Sequence, residues 1–264
     1  DSWAVFPLVF QDPYRRVEQG EWPDQPENPT QDKGEPSRHN VFGTTQEGFD
    51  VFAIMVHGAM VALLIGFVSM GIAATIGVVL GALAGYFRGW VDVIISRLIE
   101  LVMCIPLLVL ILALMVMIPN PSIWHIMVVI GITGWTSIAR LTRAEFIKLR
   151  ESDFLIGAKA LGAVPLLIMF LHILRNALAP ILVPVTFGIA SAILLEAALG
   201  FLGFGLRPPN ISWGLLLNTA RDNYNLWWLI VFPGLAIFLT VLAYNLIGEG
   251  IQEATDPRLR EAGR

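Results

Sequence analysis

Uncharged stretches longer than a globular core helix needs dictate what this chain can become. Phe52–Phe87, Leu101–Ala139, Asn176–Leu195 and Asn223–Gly248 contain no Asp, Glu, Lys or Arg. Crossing a bilayer takes roughly 20 apolar residues, because every backbone polar group must be satisfied inside the segment. The second run is long enough for two crossings, and Pro119-Asn120-Pro121-Ser122 is a turn signal that splits it. The predicted spans are therefore 61–86, 95–118, 123–142, 177–199 and 226–249, in an all-α integral membrane protein. Composition agrees: only 14% of residues are charged, against roughly a quarter in soluble domains.

The remaining charge sets the orientation. With the first segment outside, the loops after the first, third and fifth spans hold eleven Lys and Arg residues, and the other side holds six. The larger group belongs on the cytoplasmic face. Six of its members surround one loop: Arg140, Arg143, Lys148, Arg150, Lys159 and Arg175. Residues 1–51 are then an extracytoplasmic N-terminal segment, 52–250 a transmembrane domain, and 251–264 a cytoplasmic tail. Asp1 opens the chain without a basic n-region or an apolar h-region. An exported start without a leader implies a further span upstream, so six spans are expected in the intact protein. The acidic outer segment is a poor partner for nucleic acid, and none is expected.

Catalytic signals are missing. His39, His57, His125 and His172 are scattered without HExxH or Cys/His ligand spacing, so no metal site is expected. Ser191 lacks a GxSxG frame and partnered groups. No GxxxxGK[ST] occurs, so the chain itself binds no nucleotide by a P-loop. Cys104, alone in an apolar run, reads as a packing residue. Glu100 and Glu196 are the carboxylates nearest the membrane, Glu100 with Arg97 three residues before it, and structural or interfacial roles are favoured for both. No span offers a charge at the bilayer midplane, which weighs against a secondary transporter or channel. No His/Glu/Asp or Ser constellation lies inside the spans, which weighs against an intramembrane enzyme.

Three features carry structural information. Gly77, Gly81 and Gly85 recur every four residues on one helix face, the spacing that lets a second helix approach closely. Pro106 removes a backbone donor within its span and predicts a kink. Phe154, Ala158 and Leu161 fall at i, i+4 and i+7 and give an apolar stripe to a short helix that Gly162 would stop. Such a helix is too short to stand alone. It either inserts into a partner's groove or rests on the lipid surface, and physics alone leaves both open.

The loop around that helix resembles the EAA loop of ABC-importer permeases. The frame falls on Ile156-Gly157-Ala158, then Gly162, then His172-Ile173-Leu174-Arg175; its Glu, first Ala and closing Pro are absent. The resemblance spans residues 42–258. Its blocks include Phe42-Gly43-Thr44, Ala84-Gly85-Tyr86-Phe87, Gly89-Trp90-Val91-Asp92, Ala158-Lys159-Ala160-Leu161-Gly162-Ala163, Glu196-Ala197-Ala198-Leu199, Ser212-Trp213-Gly214, Phe232-Pro233-Gly234 and Asn245-Leu246-Ile247-Gly248-Glu249-Gly250. Together they are similar to the C-type permease subunit of the dipeptide/oligopeptide/nickel class. The chain departs where that class usually has Asp (Thr45) and Arg (Phe49, Ile54 and Met60).

The resemblance implies a type I ABC-importer transmembrane fold and a transport role without catalysis of its own. It implies a heterodimer with a homologous second permease subunit, two ATPase subunits that bind ATP and Mg, and an extracytoplasmic solute-binding protein. Under it, 149–176 is a cytoplasmic coupling loop. Asp153, Phe154, Gly157, Ala158, Lys159, Ala160, Leu161 and Gly162 would contact the ATPase, with no cofactor held by this chain. Arg207 and Trp213 are the candidate outer contacts. The cargo is not legible.

Overall fold

The computed structural model describes residues 14, 35–36, 41–152, 155, 157, 164–208, 210–221 and 225–255. Among them the protein is helical, with one isolated antiparallel bridge, Thr44 to Asp50. The helices are α1 (Val51–Phe87), α2 (Gly89–Met103), α3 (Leu107–Val116), α4 (Ile123–Arg150), a short α5 (Pro165–Leu167), α6 (Arg175–Phe201), α7 (Trp213–Arg221) and α8 (Trp228–Thr255). A π-helical stretch, Ile168–Leu174, joins α5 to α6.

Asp50 starts α1: its Oδ1 accepts the Ala53 amide at 2.8 Å, one of the four donors a helix start leaves unpaired. From there 37 residues run without a charge, about 55 Å at 1.5 Å per residue. α1 therefore begins ten residues before the span predicted at 61–86. It ends at Arg88, which with Gly89 takes a positive φ of 57° and turns the chain into α2.

The kink expected at Pro106 is a full break. α2 and α3 meet at 81° across Cys104–Pro106, because proline has no amide to continue the ladder and its ring excludes the preceding turn. Pro106 instead opens α3, where its carbonyl accepts the Leu110 amide at 3.0 Å. Cys104 sits exposed in this break and is not the packed residue the sequence favours. Four helical stretches are long and apolar enough to cross a membrane, and the bent pair makes five if it is one span. The fourth predicted span, 177–199, extends to Ile168–Phe201 and keeps Pro180 and Pro184 inside it. The π-helical turns precede these prolines.

Four hydroxyls inside the spans bond back to their own helix. Thr75 donates to the Gly71 carbonyl, Thr133 to Val129, Thr186 to Leu182 and Ser191 to Phe187, at 2.8 to 3.1 Å. A hydroxyl satisfied this way adds no unpaired group to an apolar surrounding.

The chain divides into two compact units. One comprises the residues up to Ile65, Pro121–Ile123 and Ile193–Thr240; the other comprises Gly66–Asn120, Trp124–Ala192 and the residues from Val241 onward.

Candidate functional site

Within the second unit, the glycine face of α1 meets α4 at backbone distance. A Cβ at Gly77 would lie 2.8 Å from both the Ile138 Cβ and the Trp135 carbonyl oxygen. At Gly81 it would lie 2.7 Å from the Thr142 Cβ and collide with the Ala139 carbonyl. At Gly85 it would lie 2.6 Å from the Phe146 Cβ. α4 answers with Gly131, where a Cβ would lie 2.7 Å from that of Ile72. Ile138, Ala139 and Phe146 are fully buried in this seam. Lipid tails are as apolar as leucine, so helices gain from this approach through dispersion and close backbone contact. Sequence spacing found three of the four glycines. Gly131 has only Gly134 beside it in its helix, three residues on, and carried no four-residue periodic signal.

The far ends of the same helices form the stem of the basic loop. Arg143 grips Asp92 with both arms, Nε on Oδ1 and Nη2 on Oδ2, the latter at 2.7 Å. Bidentate pairing of this kind fixes orientation as well as distance. Ser96 donates to the same carboxylate at 3.2 Å. Arg150, at the end of α4, donates to the Tyr86 carbonyl at 2.5 Å, and its guanidinium stands 5.6 Å from the Tyr86 ring centroid. Arg88 pairs with Glu151 at 2.6 Å, in the open. Lys148 and Arg150 also occupy the last turn of α4, where the carbonyl end of a helix favours cations. The start of the basic loop is thus tied to α1 and α2 before the chain leaves α4.

Beyond Ser152 two residues of the short segment are described. Leu155 is helical and fully buried, its amide bonded to the Ser152 carbonyl at 3.0 Å. Gly157 is helical and exposed, with open space where a Cβ would stand. Asp153, Phe154, Ala158, Lys159, Ala160, Leu161 and Gly162 lie outside the described residues. Val164 is extended and Pro165 opens α5 at a position that needs no amide donor.

In the first unit, a tight turn precedes α1. The Thr45 amide bonds to the Phe49 carbonyl at 2.9 Å, the Gly48 amide to the Thr45 carbonyl at 3.0 Å, and the Thr45 hydroxyl accepts the Phe49 amide at 3.2 Å. Gly48 takes φ 84°, a conformation that a side chain disfavours. Two indoles hold this region from behind. Trp228 Nε1 donates to the Thr44 carbonyl, and Trp213 Nε1 to the Met55 carbonyl, each at 2.9 Å. Gly58 makes room for the Trp213 ring: a Cβ there would come within 2.8 Å of it. Phe42 stacks on Phe232 at 4.1 Å.

Trp213 is 4% exposed, so its ring serves the chain's own packing and is not the outer contact the sequence suggested. Arg207 is exposed, and its carbonyl accepts both the amide and the side-chain nitrogen of Asn210. Burial raises the Asp50 carboxyl above its ordinary value, against the Ala53 and Phe52 amides that favour its anion. Glu100 pairs with Arg97 at 2.5 Å, as their spacing indicates. Glu196 is 1% exposed, bonded to Ser212, with Oε1 lacking a partner. Its burial depends on the segment around α7, which position along the span does not reveal. Thr45, Phe49 and Ile54, three of the departures noted above, line one cavity of about 520 Å³. Met60, the fourth, is exposed.

Crossing helices joined by a glycine seam, with a basic loop on a charge-tied stem, define a helical multi-span membrane protein. The chain belongs to the binding-protein-dependent transport system inner membrane component family, which matches residues 77–261. It is 40% identical to the dipeptide transport system permease protein DppC of Alkalihalophilus pseudofirmus, over 88% of this chain and 77% of that one. It is 39% identical to the di/tripeptide transport system permease protein DppC of Pseudomonas aeruginosa, over 84% and 73% respectively. Among solved structures, a chain of the MetNI methionine ABC transporter in an inward-facing conformation superposes with a TM-score of 0.61 at 17% identity, covering 77% of this chain and 96% of its own. An amino acid ABC transporter crystallised with histidines gives 0.57 at 16%, covering 77% and 94%. The fold is that of type I ABC-importer transmembrane subunits, and the family is one of multi-pass inner-membrane permeases without catalytic function of their own.

Proposed function

We propose that this chain forms half of the pore of an ATP-driven importer for peptides or similar small solutes. The observation that carries the reading is the family match over residues 77–261 on an importer-type fold. The peptide class of cargo follows the relatives' names. A homologous second permease subunit completes the pore. Two ATPase subunits hold ATP and Mg²⁺, and a solute-binding protein delivers cargo from outside. Residues 1–51 face outward and the C-terminus lies in the cytoplasm, as the Lys/Arg excess requires.

Energy coupling is mechanical in this reading. The helix from Phe154 to Leu161 enters a cleft of the ATPase subunit, with Asp153 and Lys159 fixing its register by charge. Gly157, Ala158 and Ala160 belong to the same contact, and Gly162 ends the helix so that the chain turns back to the membrane. ATP-driven closure of the ATPase pair shifts this helix between two positions. The stem supports transmission: Arg143–Asp92 and the Arg150 bond to Tyr86 carry displacement into α2 and α1, and the glycine seam makes α1 follow α4.

Ala158→Arg tests the reading. Uptake of a labelled dipeptide into vesicles and co-purification of the ATPase subunits should both be lost, while membrane insertion is retained. Unchanged uptake and co-purification would refute the docking role. Uptake driven by a proton or sodium gradient without ATP would replace this reading by a secondary transporter or channel.

A further inference from the structure

A cleft of about 590 Å³ opens between α2 and α4, within the second unit. Ser96, Glu100, Met103 and Cys104 line it from α2 and the break, Arg140 and Arg143 from α4. All of them belong to the continuous described stretch 41–152. Their charges are not equivalent. Glu100 is paired with Arg97, and Arg143 is committed to Asp92 through Nε and Nη2. Arg140, among the described residues, donates only to the Met103 sulfur. A thioether is a weak acceptor for a guanidinium with several N–H donors.

Depth can be counted along α4, which is one continuous helix. Trp124, exposed in its first turn, is the kind of side chain that sits at headgroup level. Arg140 and Arg143 lie about 24 Å and about 28 Å further along at 1.5 Å per residue, close to the roughly 30 Å of a hydrocarbon core. Trp90, exposed at the start of α2, marks the same boundary, since Asp92 two residues on holds Arg143. Beyond the cleft α2 breaks through 81° into the apolar α3, and Leu101, Ile105 and Leu107 stand exposed around the break. An under-used guanidinium at headgroup depth thus adjoins bare apolar surface.

We infer that this cleft holds the phosphodiester of a membrane phospholipid, with Arg140 as its forked partner and the surface of Leu101, Ile105 and Leu107 against the first part of an acyl chain. Arginine matches phosphate oxygens two at a time. A free phosphate would answer the guanidinium and leave the apolar margin bare. A diacylglycerol would cover the margin and leave the guanidinium on its sulfur. A phospholipid does both, and it ties α2 to α4 beside the Arg143–Asp92 pair. The inference concerns how the chain sits in its bilayer and stands apart from cargo and ATPase docking.

Cys104, the chain's single cysteine, is exposed in the wall of the cleft, so its alkylation reports occupancy. The test uses the intact transporter, purified in detergent and stripped of lipid. It is then supplied with dioleoyl phosphatidylglycerol, dioleoylglycerol or inorganic phosphate. Mass spectrometry of the peptide containing Cys104 follows its reaction with a water-soluble maleimide. Phosphatidylglycerol should slow alkylation about tenfold, the size of one charge-assisted hydrogen bond. Arg140→Gln should remove most of that protection. Arg140→Lys, which keeps the charge without the fork, should fall between, and it carries the comparison if the glutamine variant unfolds. Equal protection by dioleoylglycerol would assign the effect to the apolar surface and overturn the inference. Protection by inorganic phosphate alone would make the cleft a free-anion site and overturn it too. Undiminished protection in both Arg140 variants would have the same consequence. If alkylation is already slow in the stripped complex and none of the three additions changes it, a neighbouring subunit covers the cleft and the inference is wrong.

Discussion

A helix seam within the second unit and the turn within the first rest on different physics. In the second, α1 and α4 meet through Gly77, Gly81, Gly85 and Gly131, with backbone against side-chain stem, and Arg150 adds a bond to the Tyr86 carbonyl at the end of the seam. In the first, the turn and the start of α1 are held by directed bonds: the Asp50 cap, the two indole donors and the Thr45 hydroxyl. A seam of dispersion contacts tolerates no added volume but has no single bond to lose. A set of directed bonds tolerates change at its surface yet loses a definite increment with each donor. The difference predicts that added volume breaks the seam and lost donors loosen the turn.

The largest effect should come from Gly81→Leu. Its side chain would have to occupy the space of the Ala139 carbonyl and Thr142 Cβ, so destabilisation of at least ~3 kcal/mol is expected. Denaturant titration of the purified protein measures it. Gly71→Leu, where nothing stands within 4 Å, is the matched control and should lie near zero. A similar loss in both would break the distinction between seam and open face. Next comes Arg143→Ala at the stem, which leaves the half-buried Asp92 without its bidentate partner; about 2 kcal/mol is expected. The double variant with Asp92→Ala should cost less than the two single changes added together.

In the first unit, Trp213→Phe keeps an aromatic side chain of smaller size and removes the donor to Met55. About 1–1.5 kcal/mol should be lost, and Trp228→Phe should behave alike at Thr44. Thermal unfolding that leaves both variants at the parent value would show that packing alone suffices there. Asp50→Ala should cost about 1 kcal/mol through the lost cap, with Asp50→Asn retaining most of it. The pH dependence has a definite sign. Because the folded carboxyl holds its proton more tightly than its usual 3.8, the folded chain binds more protons than the unfolded one over that window. Stability should therefore fall as pH rises from about 3.8 through the raised folded value, and the slope should vanish in Asp50→Asn. The smallest effect is expected at Thr142→Val. The Thr142 hydroxyl is buried without a partner in the glycine seam, so removing it should be neutral or slightly stabilising.

Some of this was legible from residue order. The uncharged runs located the crossings, and Pro106 located the break. The four-residue glycine period located a contact face on α1. The ends were less legible: α1 starts at Val51 and α6 continues from a π-helical stretch, because a span's apolar core says little about how far its helix runs into polar surroundings. The site was legible in proportion to its periodicity. The segment from 153 to 162 stood out through its stripe and its resemblance to a known loop. The cavity beside Glu47 had no signal, since it is lined by Tyr14 and by two stretches, 45–54 and 208–219, that lie more than 150 residues apart, each unremarkable by itself.

What the sequence determines alone are properties that each residue or its near neighbours settle: transfer into lipid, the missing amide of proline, and the bare face of glycines spaced by one turn. These need no partner. Tertiary structure decided which helix fills the glycine face, that Glu196 is enclosed, and that two indoles find their carbonyls 158 and 184 residues away. Such pairings depend on how all the helices pack at once, because a hydrogen-bond donor specifies a kind of acceptor and not its address in the chain.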